Sequence, residues 1–305
     1  MIDFRIHTFI AVCKYMNFTR AAEELHITQP AVSQHIHYLE ERYHTTLFLH
    51  EGKRIALSPS GKLLLQAATA LKNDEQLLIT RMQQDTRPDL PLNFGVTKTI
   101  GEFVIAKSLA KYMKAHPDSR IKMIMENTNE LLLELKNGSI QFALVEGYFS
   151  SEEYDSMTFS SEDFIAVCSS SHQFQNPAIQ LHSPSNSITI QDLQKESLII
   201  RESGSGTRDI LEKNLTARNL SLKDFSHISE INSMNAIVQL LLADCGISFL
   251  YKAAVSPLLE NGQLAEIPLV DFQLKHDFTF IWEKGSIFET SYREIFEELK
   301  QGNTN

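Results

Sequence analysis

Residues 17–61 constrain the fold of this chain more than any other stretch. "NFTRAAEELHITQPAVSQHIHYLEERY" loses its helical periodicity once, at His26 and Ile27, and regains it after Thr28. Two short helices joined by a tight turn are the expected result. Thr19 is positioned to cap the first, which runs through Ala21, Ala22 and Leu25. Thr28 is positioned to cap the second, with Pro30 in its first turn, where a missing N–H costs nothing. At 100° per residue, Val32, Ile36, Leu39 and Tyr43 share one face of that second helix. Pro30, Ser33, Gln34, His37 and Tyr38 occupy the opposite side, which is short, polar and able to hydrogen-bond. Before this pair, Ile6, Phe9, Ile10 and Cys13 give the segment from Phe4 to Tyr15 helical spacing as well. Periodicity alone fits an ordinary small helical bundle equally well.

The next segment narrows the choice. "LFLHEGKRIALSPSG" has an apolar anchor, then Lys53 and Arg54 at a hairpin after Gly52, then the alternating "RIALS". It reads as a β-wing with cations at its tip, suited to the DNA backbone or minor groove. A helix pair whose second member carries a short polar face suits the major groove. The expected DNA-contacting residues are Thr28, Gln29, Pro30, Ser33, Gln34, His37, Lys53 and Arg54. Ser33 and the helix N-terminus would meet phosphates, while Gln29 and Gln34 could reach base edges.

A net charge of −10 ordinarily argues against a nucleic-acid partner, but the charge is unevenly distributed. Residues 1–87 carry ten Lys/Arg against nine Asp/Glu, and the rest carries 18 against 29. Six of the eleven histidines fall within the first 60 residues. An acidic body thus follows a near-neutral head, and the whole-chain charge says little about the head's partner.

The segment "FTRAAEELHITQPAVSQHIHYLEERYHTTLF", followed by "GKRIALSPSG", resembles the winged helix-turn-helix of LysR-type transcriptional regulators. The matching positions are Phe18, Ala21, Ala22, Leu25, Gln29, Pro30, Ser33, Leu39, Glu40, Leu47, Phe48, Leu57 and Gly61. His50 departs from the pattern, since the family commonly places Arg shortly after the "LF" pair. The resemblance implies double-stranded promoter DNA as a partner and a winged helix-turn-helix domain over residues 1–58.

Ser58 and Pro59 make a cap and first-turn pair, and no proline follows before residue 84. A helix of about 26 residues, roughly 39 Å long, is too long to bury in so small a head. Leu64, Ala67, Leu71, Leu78 and Met82 form a stripe along it, interrupted by Asp74. Such a stripe packs on its own domain or takes a partner helix. The resemblance favours the second: a linker helix over residues 59–87 that makes a homodimer, and from it a homotetramer. "DTRPDLP", residues 85–91, marks the boundary.

From "PLNFGVTKTIG" onward, strands and helices alternate through "SRIKMIMEN", "TNELLLELKNG" and "IQFALVEG", which indicates a parallel α/β unit. The alternation resumes at "DFIAVCSS". Residues 91–162 with 266–305 flank a central 163–265, so the expected regulatory domain, 91–305, has two lobes and a cleft between them, as periplasmic binding proteins do. The resemblance extends over these residues too. "GVTKTIGEF", "ENTNELLLELKNGSIQFALVEG" and "RESGSGTR" are similar to a subgroup that responds to small anions or carboxylate metabolites. Tyr251 departs from the proline usual after "GISFL", and a local change of the strand end is expected there.

Ligands in such folds bind beyond the carboxyl ends of strands, where helices begin. Thr97, Lys98 and Thr99 follow the first strand, and Thr128 opens the next helix. Glu146 ends the third strand, and Gly204, Ser205, Thr207 and Arg208 open the helix after "LIIRE". These nine are the expected effector-binding residues, for a small anionic or carboxylate ligand. Arg208 is the expected charge partner of the ligand, and Arg201 the expected member of a structural ion pair. Glu146 is the odd member, because a carboxylate repels an anion. It is expected to pair with Arg208 or Arg201, or to accept from a ligand hydroxyl or amine. Taken singly, each hydroxyl is equally well explained as a helix cap.

An enzyme is not expected. "GSGTR" lacks the spacing of a phosphate-binding loop, and no Gly-x-Ser-x-Gly or His-Glu-x-x-His stretch occurs. Cys13, Cys168 and Cys245 lie far apart without metal-ligand spacing, so neither metal nor cofactor is expected. With no apolar run near the length of a bilayer span and no signal-peptide pattern, a cytoplasmic location without membrane contact is expected. The rival to an effector-responsive regulator is a DNA-bound architectural or repressor protein whose cleft is vestigial.

Overall fold

A computed structural model describes residues 3–51, 54–82, 92–177, 179, 181 and 187–303, the side chains of residues 50, 51, 54, 80, 81 and 303 excepted. The chain divides into two compact units: Met1–Pro88 with Lys136–Ser139 and Glu283–Thr290, and the remainder.

The first unit opens with α1 (Phe4–Tyr15), α2 (Phe18–Glu24) and α3 (Gln29–Tyr43). The N-cap of α2 is Asn17 rather than Thr19: its side-chain oxygen accepts from the Thr19 and Arg20 amides at 2.9 and 3.0 Å. Thr28 caps α3 as expected, accepting from the Ala31 amide at 3.4 Å. The turn between the two helices places His26 at φ +55°, a left-handed conformation, which accounts for the break in periodicity. Val32, Ile36 and Leu39 are buried against Phe9, Val12, Ala21 and Leu47. Burial of each large apolar side chain contributes roughly 1.5–3 kcal/mol. Tyr43 does not join them and stays 45% exposed, because α3 ends there and the chain turns away through His44 at φ +50°.

Strands β1 (Phe48–Glu51) and β2 (Arg54–Leu57) pair antiparallel as the wing. Glu40 ties α3 to the wing, its carboxylate accepting from the Leu47 amide at 2.7 Å. Helix α4 (Pro59–Met82) follows, and the Ser58 hydroxyl accepts from the Gly61 amide at 2.9 Å as its first capping bond. A Cβ on Gly61 would lie 2.2 Å from the Leu47 carbonyl oxygen, so only glycine fits there. Asp74 interrupts the apolar stripe of α4 because it is buried. It accepts from the Ser286 hydroxyl at 2.6 Å and the Ile287 amide at 2.8 Å. Leu71, Leu78 and Met82 lie exposed on this helix. Residues 83–91, and with them the expected linker end and boundary, lie outside the described residues.

Next come β3 (Leu92–Thr97), α5 (Lys98–Phe103), α6 (Ile105–Ala115), β4 (Ile121–Glu126), α7 (Thr128–Asn137) and β5 (Phe142–Val145). Strand β3 pairs parallel with both β4 and β5, as strand–helix–strand alternation requires. The helical stretch predicted after β3 starts directly at Lys98 and breaks at Val104 into α5 and α6. Strand β6 (Tyr154–Ser169), longer than predicted, leads to β7 (Ser197–Ile200), α8 (Gly206–Thr216), β8 (His227–Glu230) and α9 (Met234–Leu242). The chain ends with β9 (Ser248–Tyr251), α10 (Lys252–Glu260), β10 (Leu264–Ile267), β11 (Leu274–Glu283) and α11 (Glu289–Asn303).

Among the described residues seven strands form one sheet in the order β10-β6-β11-β5-β3-β4, with β9 also on β6. Strands β7 and β8 form a separate parallel pair. The expected lobe boundaries at 162/163 and 265/266 fall inside β6 and β10, so continuous strands run from one expected lobe to the other. Phe94, Phe142 and Phe280 stack across β3, β5 and β11 with centroids 5.1 and 4.4 Å apart. This apolar sheet holds the carboxyl ends of β3 and β5 rigidly beside each other.

Candidate functional site

Two strand-to-helix junctions in the second unit are built alike. At one, β3 ends at Thr97, the N-cap of α5; at the other, Ser205 is the N-cap of α8. Neither hydroxyl makes a capping bond, although both residues are buried, 1% exposed. The hydroxyls two residues on, Thr99 and Thr207, turn instead to a third strand end. Both donate to Oε1 of Glu146, at 3.1 and 2.7 Å. Simple helix capping therefore does not account for this group.

Thr128, at the start of α7, is also buried with its hydroxyl unpaired, because Asn127 supplies the cap through its side-chain oxygen to the Glu130 amide at 3.0 Å. The junctions approach closely because two glycines face one another. A Cβ on Gly206 would lie 2.6 Å from the Gly147 nitrogen, and one on Gly147 would lie 2.7 Å from the Thr128 hydroxyl. Gly204, at φ +87°, takes the left-handed turn that leads into α8.

Glu146 is wholly enclosed. Burial raises its carboxyl above the ordinary range, against the opposing pull of the Thr207 hydroxyl, the Arg201 charge and the Thr99 and Thr97 hydroxyls. Its second oxygen, Oε2, is buried without a hydrogen-bond partner. Tyr251 fixes the backbone beneath: its hydroxyl donates to the Glu146 carbonyl at 3.3 Å and lies 3.4 Å from Nδ1 of His276. Burial holds His276 below its usual value. The departure from the family pattern at Tyr251 thus reaches the base of the cluster and is more than a local strand-end change.

Two arginines take different places. Arg208 donates to Glu212 and Glu230, both at 2.6 Å, and borders a groove of about 390 Å³ shared with Ile200, Lys223 and Ile228. Burial opposes its charge, but these two carboxylates outweigh that and raise it. Arg201 lies directly after β7 and is buried. Its Nε and Nη2 donate to Glu202 at 2.8 and 3.0 Å, while Nη1 is buried and unpaired. It is therefore both the ion-pair member that the sequence led us to expect and the cation that acts on Glu146. Lys98 donates to Glu202 at 3.3 Å and to the Asn232 carbonyl at 2.8 Å. Burial alone would raise the Glu202 carboxyl, but Arg201 and Lys98 hold it below its ordinary value.

In the first unit, the exposed side of α3 carries Gln29, Pro30, Gln34 and His37, with Thr28 before it and Ser33 half-buried. Gln29 donates to the Ser33 hydroxyl at 2.9 Å, and His37 lies 3.1 Å from Glu41. Tyr38 is engaged by Arg5, whose guanidinium lies 3.8 Å from the ring centroid. Arg54 begins β2, with its side chain outside the described residues. Lys53 and the His50 side chain lie outside them too. Among the described residues no His/Cys/Asp/Glu group could hold a metal, and no helix is long and apolar enough to cross a membrane.

The description "LysR substrate binding domain" matches residues 86–303, and "Bacterial regulatory helix-turn-helix protein, lysR family" matches residues 5–62. The HTH-type transcriptional regulator CysL of Bacillus subtilis is 27% identical, covering 98% of this chain and 96% of its own. Full-length LysG of Corynebacterium glutamicum with bound effector Arg shares the fold, with a TM-score of 0.64 at 14% identity over 99% of this chain and 98% of that one. The regulatory domain of CcmR from Synechocystis PCC6803, in complex with 2-PG, gives a TM-score of 0.60 at 18% identity over 70% of this chain and 98% of that one. The chain belongs to the LysR family: it is a transcriptional regulator with an N-terminal DNA-binding helix-turn-helix and a C-terminal effector-binding domain.

Proposed function

We propose that this regulator's promoter binding is set by a small anionic or carboxylate effector held among Thr97, Thr99, Thr128, Ser205, Thr207 and Arg201. One observation carries the reading. Hydroxyls at two N-cap positions are buried yet do not cap, and the adjacent Arg201 has a buried N–H without a partner. Buried polar groups without partners are costly, and a ligand rich in acceptors would satisfy them. Support also comes from CcmR, whose structure contains 2-PG on a similar fold.

In the same reading Ser33, Gln29, Gln34, Arg54 and Lys53 contact duplex DNA, and the exposed Leu71, Leu78 and Met82 of α4 meet a second copy of the helix. Two such dimers form a homotetramer in the cytoplasm. Effector binding changes how paired heads engage their half-sites. Isothermal calorimetry of the full-length protein against sulfate, phosphate and short carboxylates tests the site. Saturable heat, together with an altered DNase footprint, supports the proposal. Absence of both with every anion favours a regulator whose cleft senses nothing.

A further inference from the structure

We propose that the Glu146 carboxylate is a tethered competitor, occupying the seat of the effector's anionic group until that group displaces it. The inference rests on the anion-site reading above and adds to it the state of the site when it is empty of ligand.

The geometry is that of a carboxyl-binding site with a carboxyl already in it. Thr99 and Thr207 come from different helices and converge on the one oxygen, Oε1, at 3.1 and 2.7 Å. Three more buried hydroxyls belong to the neighbouring helix starts, those of Thr97, Thr128 and Ser205; Thr128 and Ser205 have no hydrogen-bond partner, and Thr97 acts on the Glu146 carboxyl. Arg201 supplies the charge felt at Glu146, and its Nη1 is buried and unpaired. A carboxylate has no structural need of such surroundings, because its natural partner, the guanidinium, is instead spent on Glu202 through Nε and Nη2. Glu146 leaves Oε2 unsatisfied and Arg201 leaves Nη1 unsatisfied. A tether with imperfect reach explains both: the side chain of Glu146 brings one oxygen to the hydroxyls but forms no ion pair with the arginine. A free carboxylate has no such restraint and can meet both.

Shape narrows the class of ligand. A small monocarboxylate matches the carboxyl end of Glu146, and it would have to displace that side chain to enter the native protein.

The test is chemical rescue of full-length Glu146→Ala. Deleting the CH2–COO⁻ group opens a space of acetate's size and chemistry. Thermal unfolding is measured in tens of millimolar sodium acetate, sodium chloride or acetamide. The expected result is a midpoint about 2–4 °C higher in acetate than in chloride or acetamide, with no acetate-specific rise in the wild type. Adding Thr207→Val to Glu146→Ala should remove the rise. Equal midpoints in all three solutes, or the same acetate rise in the wild type, would overturn the proposal. Should Glu146→Ala not fold, Glu146→Gln keeps the shape but weakens the competitor. Acetate must then stabilise Glu146→Gln more than wild type, and equal shifts overturn the proposal. The two readings fail separately. Rescue without any anion that moves the wild-type footprint leaves a permanently self-occupied seat and ends the effector reading. Effector binding without rescue ends only the tether.

Discussion

The Thr207 hydroxyl donates to the buried Glu146 carboxyl at 2.7 Å, joining the first turn of α8 to the end of β5. Thr99 meets the same oxygen from α5. Replacing either threonine by valine keeps the shape and removes a donor to a buried carboxyl, at a cost of about 1–3 kcal/mol. We expect each single variant to lower the unfolding midpoint. The double variant should lose effector response while binding operator DNA as tightly as wild type. Wild-type induction in the double variant would refute the position of the site.

Glu146 also predicts a pH dependence. Its folded-state carboxyl lies above the ordinary value because burial disfavours the charge. The unfolded chain therefore releases this proton first as pH rises, so the group costs stability above the unfolded pKa, near 4.5, and not below it. Glu146→Gln removes the cost. Its stability relative to wild type should improve from pH 4.5 upward until the folded-state value is passed. Urea unfolding at several pH values reads this directly, and a constant difference between the two proteins would contradict it.

Tyr251→Phe deletes the hydroxyl that reaches the Glu146 carbonyl and leaves that buried oxygen without this donor. The expected loss is about 0.5–1.5 kcal/mol in chemical unfolding. The ring stays packed on Phe164 and Phe278, with centroids 5.1 and 4.7 Å away, so the fold itself should persist.

In the head, Ser33→Ala should weaken DNA binding and spare effector binding. Lys53→Ala with Arg54→Ala should lower affinity across all sequences and reduce the slope of log affinity against log salt by about 2. Anisotropy titrations over a range of salt distinguish lost phosphate contacts from an unfolded head, because an unfolded head also loses sequence preference.

The head was legible in the sequence because its signals are local. Cap residues, a polar helix face and an alternating wing each lie within a few residues of their consequence, as Thr28 and Val32 illustrate. Where a local signal was ambiguous the reading slipped, as when Asn17 rather than Thr19 proved to cap α2. The cluster around Glu146 was legible only as a set of strand ends. Its internal wiring joins residues as far apart as Thr99, Glu146 and Thr207, and no spacing rule encodes such contacts. Arg208 drew attention because it sits in the glycine-rich loop, yet Glu212, one helical turn on, and Glu230, on β8, engage it. Tyr251 was visible as a departure from the family pattern, but its reach to Glu146 spans 105 positions of sequence and needed the fold.

The central claim is that an anion at this cluster changes how the regulator holds DNA. The most direct measurement is DNA-binding anisotropy of the full-length protein on an operator selected from random duplexes, repeated with a panel of small anions at constant ionic strength. The account predicts that at least one anion shifts the affinity or the half-site footprint of the wild type, and that Thr99→Val with Thr207→Val abolishes the shift. Identical binding curves with and without every anion would contradict it.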